Sequence, residues 1–374
     1  MLNIVINATA LKSGGALSIL KQFIDNTNEL DIYHIIISSE IYSTLPRKNN
    51  IIYHVKDNNS FLQRIYWDSF SFKRYVLKKN INADIIISLQ NTSINFKNKP
   101  QLIYLHQGLF LHEKRWSFIK KEEIKYAIYK YIYPFFIFLH TTRDTTFVVQ
   151  TQWMKDSLIK RFSIDPKKIY NLKPTVILPE ELSGTFKNIV GISKKNEKFI
   201  FYPATNETYK NHVFLLESFR DYLKKNQDSK LKLILTLNRE DNKKILNLLK
   251  KNKILDKHVI FLGSLSYEDV IILYNASNAI MFPSSIESFG LPLIEAAYLG
   301  KKIISLKTSF SQEILNNYLG VTFLKKDLSL WSKEFEKIEK KEMISYPSYK
   351  SEYVSEWNIF FKLIGDLCSK TKHY

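Results

Sequence analysis

FPSSIESFGLPLIEAAYLG, residues 282–300, is the stretch on which the reading of this 374-residue chain turns. Pro292 has a fixed φ and no N–H, which suits the first turn of a helix, and Gly300 suits the residue just past its end. The spacing predicts a helix over 292–299, with Glu287 in the loop before it and Glu295 one turn inside. The backbone N–H groups of Ser288, Phe289, Gly290 and Leu291 would then lie at the positive helix end, where an anion is cradled. Carboxylates flanking such a cradle suit a ligand carrying both sugar hydroxyls and phosphates. Taken alone, two nearby glutamates read as solvated surface groups. Their flanks shift that reading. The apolar run Ala279–Phe282 leads into the loop, and Ile303-Ile304 follow Gly300 after two lysines. That order is strand–loop–helix–strand, and ligands of parallel α/β sheets gather at the carboxyl ends of strands.

Working outward, short apolar runs alternate with helical patterns in both halves of the chain. Ile4–Ile6, His34–Ile37, Ile51–Val55, Asp84–Leu89, Leu102–Leu105 and Thr146–Val149 read as buried strands, with helices over Ala16–Phe23 and Phe61–Leu77. Phe199–Tyr202, Leu231–Leu235, Val259–Leu262, Ala279–Phe282 and Lys302–Ser305 repeat the scheme. Helical patterns at Val213–Leu223, Lys243–Lys250, Tyr267–Ala276 and Pro292–Leu299 separate them. The expectation is two α/β doubly wound domains, a natural division for this length. The link is expected over Pro174–Lys198, which holds Pro179, Gly184 and Gly191. Tyr353–Leu367 has helical apolar spacing.

From Val259 to Glu313, VIFLGSLSYEDVIILYNASNAIMFPSSIESFGLPLIEAAYLGKKIISLKTSFSQE resembles the signature half of the retaining GT-B glycosyltransferases of family 4. Phe-Leu-Gly, an amphipathic helix, Pro-Ser and the two glutamates come in that family's order; the first half of the chain matches it loosely. The resemblance implies an α/β GT-B fold, two doubly wound Rossmann-like domains facing across a cleft. An acceptor-side domain would span 1–180 and a nucleotide-sugar-binding domain 190–350, with 351–374 a helix crossing back to the first. By the same resemblance, Glu287 holds donor-sugar hydroxyls near the anomeric carbon and Glu295 accepts hydrogen bonds from the ribose. Lys210, before a helix in IFYPATNETYKNH (200–212), matches the lysine on the diphosphate. The family's arginine about five residues earlier is replaced by Thr205 and Asn206, as hydroxyl and amide donors or as a lost phosphate contact. His106, at the end of the strand Leu102–Leu105, matches a histidine that faces the donor sugar, expected as a positioning hydrogen-bonder. Gly14 and Gly15 fall where the family has a glycine-rich loop, although a simple turn explains the pair equally well.

Composition narrows the partners. The net charge is +19, most of it from lysine, and such a surface attracts nucleic acid or anionic lipid. Aromatic residues do not alternate with basic ones as in an RNA-binding module, so no nucleic acid is expected. Cys368 is the only cysteine, which excludes an intramolecular disulfide and any multi-cysteine metal site and suits the cytoplasm. The first residues lack a signal-peptide pattern, and no apolar run reaches the ~18 residues of a membrane span. Trp116–Leu139, WSFIKKEEIKYAIYKYIYPFFIFL, mixes lysine with aromatic residues, reading either as core packing or as a surface helix on the inner face of an anionic membrane. Pro134 is expected to end or kink it. No Asp-x-Asp pair occurs, so no metal or other cofactor is expected. The expected reaction is retaining transfer of a sugar from a nucleotide-sugar to a saccharide or lipid-linked oligosaccharide acceptor, in assembly of a bacterial capsule or O-antigen. The alternatives are another GT-B enzyme, such as an epimerase or phosphorylase, and a non-catalytic GT-B-fold partner of a polysaccharide complex.

Overall fold

The computed structural model describes residues 1–179, 198–349 and 355–370. The chain divides into two compact units, Met1–Thr175 with Ser355–Tyr374, and Val176–Val354. Most of the expected link, residues 180–197, lies outside the described residues, as do 353 and 354 of the expected last helix.

The first unit is built on seven strands: β1 (Asn3–Asn7), β2 (Ile32–Ile37), β3 (Ile51–Val55), β4 (Ile85–Ser88), β5 (Gln101–Leu105), β6 (Thr145–Val149) and β7 (Ile169–Asn171), in the order β3-β2-β1-β4-β5-β6-β7. Every pairing is parallel. Strands covered on both faces need apolar residues at successive positions, and β1 shows why. Ile4 and Ile6 enter one core with Phe23, Tyr33 and Tyr104, whereas Val5 joins Trp67, Phe72 and Val76 on the other face. The helix Trp357–Lys370 belongs to the first of these cores: Phe360 lies against Phe23, Tyr104 and Trp357. The amide of buried Gln22 fixes its start, its Oε1 accepting from the Trp357 indole at 3.1 Å and the Thr175 N–H at 2.7 Å.

The second unit holds β8 (Phe199–Tyr202), β9 (Lys232–Leu235), β10 (Val259–Phe261), β11 (Ala279–Phe282), β12 (Ile303–Leu306) and β13 (Val321–Leu324), ordered β10-β9-β8-β11-β12-β13 and again parallel throughout. In each sheet the winding direction reverses once, between β1 and β4 in the first and between β8 and β11 in the second. Loops leaving the carboxyl ends of those strand pairs diverge and open a crevice.

Three local readings need correction. β7 and β13 were not expected from the sequence; both are edge strands, one three residues long and the other half-buried along its whole length. The helix expected over Phe61–Leu77 contains a π turn at Trp67–Ser71, which lets three consecutive residues, Trp67, Asp68 and Ser69, point inward. Pro134 does not end its helix. A π turn at Ile128–Ile132 precedes it, and Pro134 enters the first turn of the helix Tyr133–Phe138, where its missing N–H is tolerated.

Phe360→Ala should cost the first unit about 3–5 kcal/mol. In native-state hydrogen exchange the slow amides of β1 should lose protection while those of β11 keep theirs; equal losses in both would contradict the assignment of this helix to one core.

Candidate functional site

The opening stretch of sequence folds nearly as its spacing predicts. A helix runs over Leu291–Tyr298 with Gly290 as its N-cap and Pro292 in the first turn. Gly290 has φ +94°, a conformation that L side chains rarely adopt, and Gly300 has φ +64°. A Cβ at Gly300 would stand 2.3 Å from the Tyr346 carbonyl oxygen, so glycine is required there on two counts. A Cβ at Gly290 would meet Glu287 Cγ at 3.8 Å, which places the Glu287 side chain beside the turn that starts the helix.

Glu287 follows β11, and Lys210 follows β8, so the two residues leave the strands that flank the reversal. Lys210 ends a 3₁₀ turn, Thr208–Lys210, and Asn211 passes through φ +57° into the helix His212–Lys225. Asparagine tolerates that conformation. Here its amide also donates to the Pro283 carbonyl at 2.8 Å, and the Ser285 N–H donates to the Tyr209 carbonyl at 2.9 Å. These bonds stitch the two loops together. Across them Lys210 Nζ meets Glu287 Oε1 at 2.5 Å, with the side chains only 13% and 15% exposed. The hydroxyl of Tyr202, the last residue of β8, donates to the Lys210 carbonyl at 2.8 Å. His212 is buried beside the pair; burial, with the Lys210 charge, lowers its pKa to about 3 and keeps the ring neutral.

Glu295 is 8% exposed and faces two phenols. Tyr267 lies 3.1 Å from its Oε1 and Tyr274 3.4 Å from its Oε2. Each phenol has one hydrogen and a competing acceptor, the Ile177 carbonyl at 3.0 Å for Tyr267 and the Pro292 carbonyl at 3.3 Å for Tyr274. Three hydrogens would serve four acceptor contacts better than two, and burial accordingly raises the pKa of Glu295 to about 7. A ligand hydroxyl would supply the missing hydrogen equally well. The sequence had named Glu295 but not the tyrosines. Tyr267 and Tyr274 lie seven residues apart on one helix, Tyr267–Ala276, a spacing that reads as ordinary core packing.

Of the two residues standing in place of an arginine, Asn206 is engaged elsewhere: its Nδ2 donates to the Asp241 carbonyl at 2.7 Å and its Oδ1 accepts from Asn242 at 2.8 Å. The Thr205 carbonyl accepts the Glu207 N–H at 2.8 Å, shaping the same loop. Ser288, Phe289, Gly290 and Leu291 form the turn at the amino end of the helix.

The remaining named residues belong to the first unit, Gly14 and Gly15 after β1 and His106 after β5. Gly14 opens the helix Gly14–Asp25, with Gly15 as its second residue, so the pair is the first turn of a helix and not a loop before it. Positions 14 and 15 have open space where a Cβ would stand. His106 follows β5. Its Nε2 lies 2.8 Å from the Leu89 carbonyl, which requires the hydrogen on Nε2 and leaves Nδ1 as an acceptor; burial lowers its pKa to about 4. The Asn91 side chain accepts the His106 N–H at 2.7 Å. Beside it lies a cluster absent from the sequence reading. Asp68, brought inward by the π turn, accepts from Asn7 Nδ2 at 2.7 Å, Gln90 Nε2 at 3.0 Å and Thr92 Oγ1 at 2.6 Å. Gln90 Oε1 in turn accepts from the Thr9 hydroxyl at 3.0 Å and the Ala10 N–H at 3.1 Å. Loops after β1 and β4, the strands at the reversal of this sheet, are thereby locked to one carboxylate, whose pKa burial raises to about 7.

Comparison with known proteins agrees with this architecture. Residues 185–355 match the family model described as glycosyl transferases group 1. The O-antigen chain mannosyltransferase RfbU of Salmonella typhimurium is 26% identical over 191 residues, 51% of this chain, and the match spans about half of that relative's length (50%). Among solved structures, Alr3699/HepE of Anabaena in complex with UDP and glucose aligns with a TM-score of 0.69 at 15% identity, covering 99% of this chain and 100% of that one. WaaG, a glycosyltransferase involved in lipopolysaccharide biosynthesis, aligns with a TM-score of 0.66 at 12% identity over 90% of each chain. The fold is therefore GT-B, the two-domain α/β fold of glycosyltransferases.

The buried carboxyl of Glu295 makes a pH prediction. Its folded pKa lies above the unfolded value of 4.5, so the folded protein retains a proton that the unfolded chain releases. The resulting stability is complete below about pH 4.5 and is lost as pH rises through about 7. Relative to Glu295→Gln, the wild type should lose roughly 3 kcal/mol over that window, at about 1.4 kcal/mol per pH unit. Urea unfolding of both proteins across the range measures it, and parallel curves would exclude a buried, proton-binding Glu295.

Proposed function

We propose that this protein is a glycosyltransferase that moves a sugar from a nucleotide-sugar donor to a saccharide acceptor with retention of anomeric configuration. The observation that carries the reading is the Lys210–Glu287 pair, set on the two strands at the reversal of the second sheet. On donor binding the Lys210 ammonium turns from Glu287 to the diphosphate, joined by the backbone at Ser288, Phe289, Gly290 and Leu291. Glu287, released from its partner, accepts hydrogen bonds from donor-sugar hydroxyls near the anomeric carbon. Ribose hydroxyls take over the contacts that Tyr267 and Tyr274 make with Glu295. Departure of the diphosphate and attack of the acceptor on one face, through an oxocarbenium-like state, follows from the family resemblance.

A fixed cation and a helix end aimed at the departing diphosphate supply charge stabilisation without a metal. His106, Gly14 and Gly15 are proposed to contribute from the first unit, His106 through Nδ1 as an acceptor for a sugar hydroxyl. Thr205 and Asn206 are proposed to act through the shape of the loop that carries Lys210. The likeness to an O-antigen chain mannosyltransferase supports an acceptor in bacterial surface polysaccharide assembly. A lipid-linked acceptor, met in the cytoplasm at the membrane surface, is part of the proposal.

Release of nucleotide from UDP-, GDP- and ADP-sugars, with and without a bacterial lipid extract, tests the reading. One donor should be consumed, and Glu287→Ala and Lys210→Ala should each reduce turnover by about 10²–10³. Near-full turnover in either variant would overturn the site, and no release or binding of any nucleotide would favour a non-catalytic fold.

A further inference from the structure

The first unit holds a cavity of about 790 Å³ on the edge of its sheet opposite to His106. That volume falls within the range of roughly 300–1,000 Å³ found for small-ligand sites. Phe138 ends the helix Tyr133–Phe138, and residues 141–145 lead from it into β6. Phe162 ends the helix Gln152–Phe162, and Ile164, Asp165 and Lys168 lead from it to β7. The cavity therefore lies at the amino ends of β6 and β7. Gly14, Gly15 and His106 follow the carboxyl ends of β1 and β5 in the same parallel sheet. A strand the length of β6 holds those two edges roughly 16 Å apart, so the cavity is no part of the candidate site.

Its floor is apolar and its rim is charged. Phe147 is buried, and the half-buried Phe138 ring lies 5.8 Å from it and 4.8 Å from the ring of Phe162, centroid to centroid. Arg143 and Lys168 stand on the rim with Asp144 and Asp165, yet among the described residues no ion pair joins these four. The Asp165 carboxylate accepts the Lys167 N–H at 2.9 Å, and Arg143 and Asp144 are exposed. Between floor and rim, the Thr141 hydroxyl donates to the Phe138 carbonyl at 2.8 Å, and Thr142 Oγ1 accepts the Asp144 N–H at 3.2 Å. One threonine keeps lone pairs to offer and the other a hydrogen. This set selects a ligand class. An anion would meet two carboxylates, a cation would meet a guanidinium and an ammonium, and an apolar molecule would strip water from all four charges. A neutral sugar ring suits both parts: its C–H face packs on aromatic rings, and its hydroxyls both donate and accept at the rim. We propose that this cavity binds a neutral oligosaccharide, one sugar ring lying on Phe138 and Phe162 and its hydroxyls meeting Arg143, Asp144 and Asp165. The cavity holds saccharide without reacting with it, and the inference does not depend on the sugar-transfer reading.

An array of neutral, uronic-acid-bearing and phosphorylated oligosaccharides, probed with the full chain, tests it. The wild type should retain neutral members. For the neutral oligosaccharide retained best, Arg143→Ala/Asp144→Ala should raise Kd at least about tenfold, as loss of hydrogen bonds to charged groups requires. Phe162→Ala should weaken binding as well, with thermal melting to check its fold; if it does not melt cooperatively, the exposed double variant decides alone. Nucleotide release measured beside binding should be unchanged in the double variant, which separates this site from the transfer reaction. Retention of no neutral oligosaccharide, or of anionic members only, would overturn the inference. So would a neutral ligand whose Kd is the same in wild type and the double variant, because it would then bind elsewhere.

Discussion

The contact between Lys210 and Glu287 depends on the reversal of winding in the second sheet. β8 and β11 are hydrogen-bonded neighbours although 76 residues separate their ends at Tyr202 and Ala279. Their following segments leave toward opposite faces, so the loops part above the strand ends and place a cation and an anion across the gap. Neither charge could be held there by local sequence alone. Asn211, Ser285 and Tyr209 fix the two backbones first, and the 2.5 Å ion pair then closes over a site largely shielded from water. A shielded pair of this kind gives little net stability, because both ions lose hydration. Its use is better sought in exchange: whichever ligand takes one partner releases the other.

Both units also bury a carboxylate near the strand ends, and both satisfy it with neutral donors. Asp68 takes amides and a hydroxyl from the end of β1 and the loop after β4; Glu295 takes two phenols. Burial outweighs these donors, and each pKa rises to about 7. Asp68 has its oxygens filled and acts as a rivet between loops. Glu295 shares its phenolic hydrogens with the Ile177 and Pro292 carbonyls, which leaves its oxygens short of donors.

The sequence revealed what depends on local rules. Helix start and stop chemistry placed the helix after Glu287 within one residue of Leu291–Tyr298, because Pro292 and Gly300 leave few alternatives. Central strands such as Phe199–Tyr202 and Ala279–Phe282 were legible to the residue, since burial on both faces makes them uniformly apolar. Edge strands were not: Val321–Leu324 is half-buried, and nothing in its pattern separates it from a loop. Nor was the π turn at Trp67–Ser71, whose cause is the distant demand of Asn7, Gln90 and Thr92 for Asp68. Glu295 was legible through its spacing, but its cover of Tyr267 and Tyr274 follows from helix packing. The partners of Asn206, Asp241 and Asn242, come from a distant loop and left no mark on the local sequence.

Lys210 is proposed as a diphosphate ligand held in reserve by Glu287, and equilibrium binding of UDP and GDP to the full chain tests that most directly. Glu287→Gln, which keeps the shape and removes the competing charge, should bind the preferred nucleotide as tightly as wild type or more tightly. Lys210→Met should bind it about tenfold more weakly or worse, as loss of a charged hydrogen bond requires. Unchanged affinity in Lys210→Met together with lost affinity in Glu287→Gln would contradict that role, since the pair would then be structural and the nucleotide would lie elsewhere.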